Sequence, residues 1–134
     1  MKFLLLIHDN PEARETLEAL SEEQRRELIG GPDGLAAKVR TLRESGELVS
    51  VLALDDPSAS ESVQLIAGTP VISDRPFLET KEFLAGAIVV ECPTAERALE
   101  IAAEVPAAEL RRIEVRPVRV LDDDDFSAVP GLDG

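Results

Sequence analysis

The chain has 134 residues and a formal net charge of -13, with 44% hydrophobic residues, 3% aromatic residues and neither Trp nor Tyr. This length and apolar content indicate one folded domain with an aliphatic core rather than a disordered chain. A strongly negative surface repels phosphate backbones and anionic lipid headgroups, so neither nucleic acid nor a membrane is an expected partner. The single cysteine excludes an intrachain disulfide and a cysteine-based zinc site.

The N-terminal apolar run predicts a buried strand rather than a targeting segment. Residues 3–7 are too few to span a bilayer, and the run lacks a small-residue cleavage site. We therefore expect a cytoplasmic protein in which residues 2–8 form a strand buried on both faces. Cys92 lies in a later apolar stretch, where a buried and unreactive thiol is the simplest interpretation.

Two helices are predicted after the first strand. Ser21 and Gln24 have the spacing of a capping box, which predicts a helix through Leu28 that ends at the glycine pair 30–31. Asp33 is predicted to cap a second helix, for which Gly46 supplies the C-terminal stop. The apolar face of this second helix has i, i+4, i+7 spacing and consists of Leu35, Val39 and Leu42.

The rest of the chain predicts mostly strands. Residues 48–54 form the second strand, residues 55–58 a loop, and residues 63–67 and 70–73 a hairpin around the Gly-Thr pair at 68–69. Residues 86–90 are another strand.

A final helix and strand follow. Thr94 can cap the helix, whose predicted apolar face consists of Ala95, Ala98, Leu99, Ala102 and Val105. Apolar and charged residues then alternate over residues 112–116, which is typical of a strand with one buried face.

This order of elements indicates an α+β fold, a ferredoxin-like βαββαβ arrangement with an added hairpin. We assign residues 1–121 to this domain and residues 122–134, which begin with four aspartates, to an acidic flexible C-terminal tail. Helices on one face of a largely antiparallel sheet leave the other apolar face exposed. We therefore expect a homodimer that packs sheet against sheet and encloses a hollow for a compact ligand.

One segment carries a family resemblance. Residues 74–82, Asp-Arg-Pro-Phe-Leu-Glu-Thr-Lys-Glu, resemble the D-G-P-F-x-E-T-K-E signature of the DGPF branch of the YCII-related family. Segments 1–7, 43–49 and 113–118 agree with the same family in order and spacing. The resemblance covers roughly residues 1–120 and implies a dimeric α-β barrel of ferredoxin-like subunits. Some members have no known role, others are encoded beside sigma factors, and a few related sequences take part in the breakdown of chlorinated aromatic compounds.

The chain also departs from this family. Arg75 replaces the glycine of the signature, which costs about 1 kcal/mol if that position requires a positive φ. Ala87 replaces an aromatic residue and opens space in the sheet. The founding branch has a His on the helix before the glycine turn and an Asp before a late proline, and the corresponding positions here are Leu35 and Val105. That His/Asp pair therefore cannot be carried over.

His8 and Asp74 are the candidate catalytic residues. His8 is the only histidine and lies at the end of the first strand, where it can act as a general base. Asp9 can orient it only if the chain turns there, because successive strand residues point to opposite faces. The alternative is a half-buried histidine at a place where relatives often have Tyr.

The polar residues of the signature have two interpretations. In the functional one, Asp74 and Lys81 lie at a pocket mouth and hold a small polar substrate. In the structural one, Asp74 caps a turn before Pro76, Phe77 anchors the loop, and Lys81 pairs with Glu79 or Glu82. The predicted substrate-binding residues are Lys81, Phe77 and Arg75.

No cofactor or metal is expected. The sequence has no phosphate loop, nucleophile elbow, dinucleotide fingerprint or zinc pattern. The aspartates at 122–125 lack the glycine turn and ligand spacing of an EF-hand, so a solvated tail is the preferred interpretation.

Three functions are consistent with these observations. The first is a homodimeric small-molecule-binding protein, favoured by Arg75 and by the missing His/Asp pair. The second is a cofactor-free isomerase or lyase that acts by proton transfer on a small cyclic or chlorinated organic substrate, with His8 as base and Asp74 or Lys81 as polariser. The third is a structural interaction protein that meets a basic partner through the dimer surface or the acidic tail.

Overall fold

The structure is a computed structural model that describes residues 1–74, 82–106 and 108–119. Within these residues the chain forms six strands, four α-helices and one short 3-10 turn at Pro57–Ala59. The strands and helices in chain order are β1 (Lys2–Asp9), α1 (Pro11–Glu18), α2 (Glu22–Gly30), α3 (Leu35–Glu44), β2 (Leu48–Ala53), β3 (Ser62–Ile66), β4 (Thr69–Ser73), β5 (Phe83–Glu91), α4 (Ala95–Ala103) and β6 (Arg112–Pro117).

The main sheet has the strand order β2-β5-β1-β6, and all its neighbouring strands are antiparallel. Without the hairpin, the elements follow the ferredoxin-like βαββαβ order, with three helices in the first helical connection. The hairpin β3-β4 is a separate two-stranded sheet inserted between β2 and β5. The predicted fold class is therefore confirmed. No helix in the described ranges is long and apolar enough to cross a bilayer.

The two faces of the sheet differ in burial. Side chains alternate along β1, so Phe3 and Leu5 pack under the helices and are almost fully buried, whereas Leu4 and Leu6 point the other way and are half-buried. Cys92 is buried at the edge of the core, as predicted. The core cluster on the helix side consists of Phe3, Leu5, Leu42, Ile88, Val90, Cys92, Ala98, Ile101, Ala102 and Val105.

We call the uncovered side of the sheet the open face. It is apolar at its centre and charged along β6. Leu52 is 54% exposed there and Leu84 39% exposed. The apolar residues of the open face are Leu4, Leu6, Leu52, Leu84, Ala87 and Val89.

The helix α1 was not predicted. Asn10 caps it, since its side-chain oxygen accepts a hydrogen bond of 2.7 Å from the backbone N–H of Ala13. Pro11 follows at the first helical position, where its fixed φ suits the helix and its missing N–H costs nothing. The first connection therefore contains three helices rather than the expected two.

The caps of α2 and α3 confirm one prediction and correct another. Ser21 and Gln24 form the expected capping box with reciprocal hydrogen bonds of 2.9 and 3.0 Å. Asp33 does not cap α3, because the N-cap residue is Gly34 and it makes no side-chain bond. A Cβ on Gly34 would lie 2.8 Å from the backbone oxygens of Glu27 and Ile29, so this close approach requires glycine.

The helix α4 begins as predicted but is rotated differently. Thr94 accepts a hydrogen bond of 3.2 Å from the backbone N–H of Arg97, which confirms it as the cap. Three members of the predicted apolar face are buried as expected, Ala98, Ala102 and Val105. The prediction was wrong for Ala95 and Leu99, which are exposed (Leu99 by 56%), and Ile101 is buried instead. The buried stripe follows i, i+3, i+4 spacing from Ala98, and Leu99 lies about 100° around the helix from Ala98.

The hairpin is confirmed, with its turn one residue earlier than predicted. Ala67 and Gly68 both have positive φ, at 51° and 80°, which is the pattern of a type I′ turn. Val63, Leu65 and Ile72 lie on one face of the hairpin and are 65%, 69% and 66% exposed.

A bidentate ion pair ties the turn before β2 to α4. Arg97 donates from Nε and Nη2 to the two carboxylate oxygens of Glu47, at 2.8 Å each. These hydrogen bonds lower the pKa of Glu47 from 4.5 to about 2 despite its partial burial, and a bond from the Ser45 hydroxyl adds to the effect. The neighbouring positive charge favours the ionised carboxylate.

Replacing Glu47 by Gln is expected to lower the free energy of unfolding at pH 7 by about 1 kcal/mol, since Arg97 is partly exposed to solvent. The pKa of Glu47 is depressed in the folded state, so its stabilisation is present in full above pH 4.5 and is lost as the pH falls towards 2. Urea titrations at pH 7, 4.5 and 3 should therefore show the variant and the parent converging in acid. Glu100→Gln is the matched control, because Glu100 makes a single, more exposed bond to Arg97. An equal effect of both substitutions would contradict this assignment.

Candidate ligand-binding cleft

A cleft with a volume of about 560 Å³ lies on the helix side of the sheet, where β1 and β2 end and β5 begins. This volume is typical of sites for small organic molecules. The principal lining residues are Ile7, Asp9, Arg14, Leu17, Leu28, Leu35, Val51, Phe83, Gly86, Ile88, Val105 and Arg111.

The walls of the cleft are mostly apolar. Leu17 and Leu28 reach it from α1 and α2, and Phe83 reaches it from the first residue of β5. Gly86 lets two strands approach closely here, because a Cβ on it would lie 2.6 Å from the backbone oxygen of Leu52. Covering such an apolar surface with an apolar ligand removes both from water, which contributes favourably to the free energy of binding.

Asp9 and Arg111 form a partly buried ion pair at the cleft. Asp9 is the last residue of β1 and is only 6% exposed, on the same side of the strand as Ile7. One of its oxygens accepts a hydrogen bond of 3.0 Å from the backbone N–H of Asn10. The other accepts a bond of 3.3 Å from Nη2 of Arg111, just before β6. A buried carboxylate requires such partners, because burial without them is costly.

One donor of this pair is unused. Nε of Arg111 is inaccessible to solvent and has no hydrogen-bond partner among the described residues. Most buried polar atoms in folded proteins are satisfied, so this enclosed N–H is an exception within the described structure.

Charged residues line another part of the cleft. Arg14 on α1 pairs with Asp56, and its Nε lies 3.5 Å from a carboxylate oxygen of Glu18. Its guanidinium also lies 5.4 Å from the centroid of the Phe83 ring, which places a cation over an aromatic wall. These contacts connect α1 to the loop after β2.

His8 lies on the open face and does not line the cleft. The strand β1 continues through Asp9, so the two side chains point to opposite sides of the sheet and Asp9 does not orient His8. Nε2 of His8 lies 3.5 Å from a carboxylate oxygen of Glu114. The pKa of Glu114 is lowered, chiefly by a hydrogen bond from Arg116 and to a smaller extent by His8.

Most of the signature segment lies outside the described residues. Asp74 is exposed directly after β4. The predicted binding residues Arg75, Phe77 and Lys81 lie outside the described residues, as does the acidic tail. No group of three or more His, Cys, Asp or Glu side chains is placed to hold a metal ion within the described residues.

Sequence reasoning missed both members of the buried pair. Asp9 was considered only as a partner of His8, and Arg111 was not considered. The available signal for Asp9 was strand alternation, which places it on the same face as Phe3 and Leu5 if β1 is one residue longer. Leu35 and Val105, the positions of the founding branch's His and Asp, both line the cleft.

Comparison with known proteins identifies the family. The family model for the YCII-related domain matches residues 1–122. An uncharacterised protein of Rhizobium meliloti (strain 1021) is 34% identical over 86 residues, which cover 63% of this chain and 69% of that protein. The chain belongs to the YCII-related family.

Proposed function

We propose that this protein is a homodimer that binds one small organic molecule in the cleft of each subunit. The observation that carries the proposal is the cleft itself, about 560 Å³ in volume, with apolar walls and a partly buried Asp9–Arg111 pair. Predominantly apolar pockets with a few placed polar groups are the usual sites for small molecules.

Binding without catalysis fits the cleft better than proton transfer does. Leu35 and Val105 bring only apolar side chains to the positions of the founding branch's His and Asp. His8, the base of the isomerase or lyase hypothesis, is on the opposite face of the sheet. Asp9 is buried in the cleft, but both of its oxygens already accept hydrogen bonds.

The open face supports the homodimer. A second copy packed on it would remove the apolar centre of the sheet, including the exposed Leu52 and Leu84, from water. A contiguous apolar surface of this kind favours aggregation unless a partner covers it. The cleft lies on the helix side, so the site proposed here does not depend on the expected hollow between the two copies.

A thermal-shift screen tests the binding proposal. The panel contains small cyclic ketones, phenols, aromatic carboxylic acids and chlorinated aromatics. At least one class is expected to raise the melting temperature in proportion to the logarithm of its concentration above Kd.

Two tryptophan variants show where the ligand binds. Leu35→Trp places an indole in the mouth of the cleft and is expected to abolish the shift, whereas Leu99→Trp on the exposed surface of α4 is expected to preserve it. A panel that produces no shift, or a shift equally sensitive to both substitutions, would refute binding in this cleft.

A further inference from the structure

The hairpin β3-β4 has one edge that is built to accept another strand. We propose that the β3 strands of two copies of the chain pair antiparallel about a twofold axis at Gln64, so that two hairpins form one four-stranded sheet. None of the lining residues of the cleft belongs to the hairpin. The contact therefore goes beyond ligand binding and beyond the open-face dimer, and it joins two such dimers into a tetramer.

The turn determines which backbone groups of the hairpin point outward. Residues 67–68 form a two-residue loop, so Ile66 and Thr69 are a hydrogen-bonded pair. Along an antiparallel ladder such pairs alternate with pairs whose N–H and C=O groups point away from the partner strand. Leu65 and Pro70 are the next pair and belong to this second kind. Pro70 agrees with the assignment, because a proline has no N–H to contribute to the ladder.

The two edges of the hairpin differ in their capacity to accept a strand. On the β4 edge, Pro70 offers no donor, and proline is one of the residues that protect exposed edges from pairing. On the β3 edge, Val63 and Leu65 direct their N–H and C=O groups outward, and the regular register leaves no bulge to distort them. Within the described residues the two strands pair only with each other. The β3 edge thus has neither proline nor bulge to prevent the addition of a strand.

The apolar side chains of the hairpin also favour a larger sheet. Val63, Leu65 and Ile72 are exposed on one face of it. A two-stranded hairpin is marginally stable in water, and three or more strands with an apolar face are needed for independent stability. Pairing through β3 would give four strands and bring the apolar residues of both hairpins into one continuous stripe.

Charge and register indicate a second copy of the chain as the partner. Residues 62–73 contain no Asp, Glu, Lys, Arg or His, although the chain has a net charge of -13. Two copies can therefore meet here without placing like charges on opposite strands. A twofold axis at Gln64 sets Val63 against Leu65 of the other copy, so each outward N–H meets a C=O group. On the other face the two Gln64 side chains are neighbours, and their amides can donate to and accept from each other.

The contact is expected to be weak. The strand β3 has only five residues, and two chains of net charge -13 repel each other. Interfaces that bury less than about 1,000 Å² are typically weak and transient. We therefore expect a Kd on the order of 1 mM. The open-face dimer remains the main species at micromolar concentration, and tetramers form at millimolar concentration.

Sedimentation equilibrium from micromolar to millimolar protein tests this contact. The average mass of the parent is expected to rise from the dimer towards the tetramer. Leu65→Pro removes an outward N–H from the β3 edge and keeps the ladder to β4, so it is expected to stay at the dimer mass throughout. Ile72→Pro is the matched control, because it removes an outward N–H from the β4 edge at a similar loss of apolar surface. It is expected to associate like the parent.

Amide hydrogen exchange of the parent, measured by NMR, gives a second readout that needs no variant. The amides of Val63 and Leu65 are expected to exchange about twofold more slowly at millimolar than at micromolar concentration, because pairing protects them in part of the molecules. The amide of Ile72 points outward on the other edge, so its exchange rate should not change.

The outcomes decide for or against the β3 contact. A mass that stays at the dimer up to millimolar concentration, or a rise that Leu65→Pro leaves intact, would overturn it. Loss of the rise in Ile72→Pro, or slower exchange at Ile72, would overturn it as well, since the edge of β4 would then take part. The Leu6→Arg substitution on the open face separates the two interfaces: the hairpin contact is expected to persist there as a monomer–dimer equilibrium at millimolar concentration.

Discussion

Replacing Phe3 by Ala is expected to lower the free energy of unfolding by about 3–5 kcal/mol. Phe3 is 1% exposed on the central strand β1, and its neighbour Val90 on β5 is fully buried in the same cluster. Removing the ring loses its transfer free energy and leaves a cavity that the flanking strands cannot close. For a domain whose total stability is on the order of 10 kcal/mol, this is a large fraction.

Urea denaturation followed by far-ultraviolet circular dichroism measures this effect, with Leu99→Ala as the control. Leu99 is 56% exposed on α4, so its truncation is expected to change stability by less than about 0.5 kcal/mol. The midpoint for Phe3→Ala should fall at an unchanged slope, because the same surface is exposed on unfolding. Equal midpoints for the two variants would mean that the core lies elsewhere.

Replacing Leu6 by Arg is expected to convert the proposed dimer into a monomer. Leu6 is at the centre of the open face, between Ala87 on β5 and Glu114 on β6. The arginine of each copy would be desolvated against the apolar face of the other, which should weaken association by about 100-fold or more. In the monomer the long side chain can extend to solvent, so the fold is expected to survive.

Sedimentation equilibrium measures the assembly directly. The parent is expected at twice the chain mass of 14.5 kDa, and Leu6→Arg at the chain mass itself. Leu99→Arg is the control, since α4 is on the other side of the sheet, and it should stay dimeric. A parent protein that remains monomeric at micromolar concentration, or a Leu6→Arg variant that stays dimeric, would contradict association through the open face.

The fold was predictable because its signals are local. The capping box at Ser21, the Thr94 cap and the alternation over β6 each involve only a few neighbouring residues. The helix α1 was missed because it is short and polar, and its start is marked only by Asn10 and Pro11. The error at Leu99 has a different cause: two apolar stripes fit α4, and only the packing against the sheet decides which one is buried.

The cleft was less predictable because its parts come together only in the folded chain. Asp9 and Arg111 are separated by 102 positions, so no local motif links them. The prediction centred on His8, which lies on the open face, whereas the cleft is on the opposite side of the sheet. The next residue of the strand, Asp9, points to the cleft because side-chain direction alternates along a strand. The family resemblance did identify cleft positions, Leu35 and Val105, although both have lost their ionisable groups.

The strand β5 has side chains both at the cleft and on the open face, and a β-bulge in this strand decides which side chain lies on which side. Its pairing with β1 shifts between Ile7 and His8 and leaves Ala85 without a partner there, the pattern of a β-bulge. Phe83 therefore faces the cleft while Leu84 faces outward. If Ala85 instead paired regularly with His8, without the bulge, Leu84 would face the ligand and Phe83 the neighbouring subunit. The pairing at this one point can thus alter ligand preference and self-association together, and members of the family should be compared at this position first.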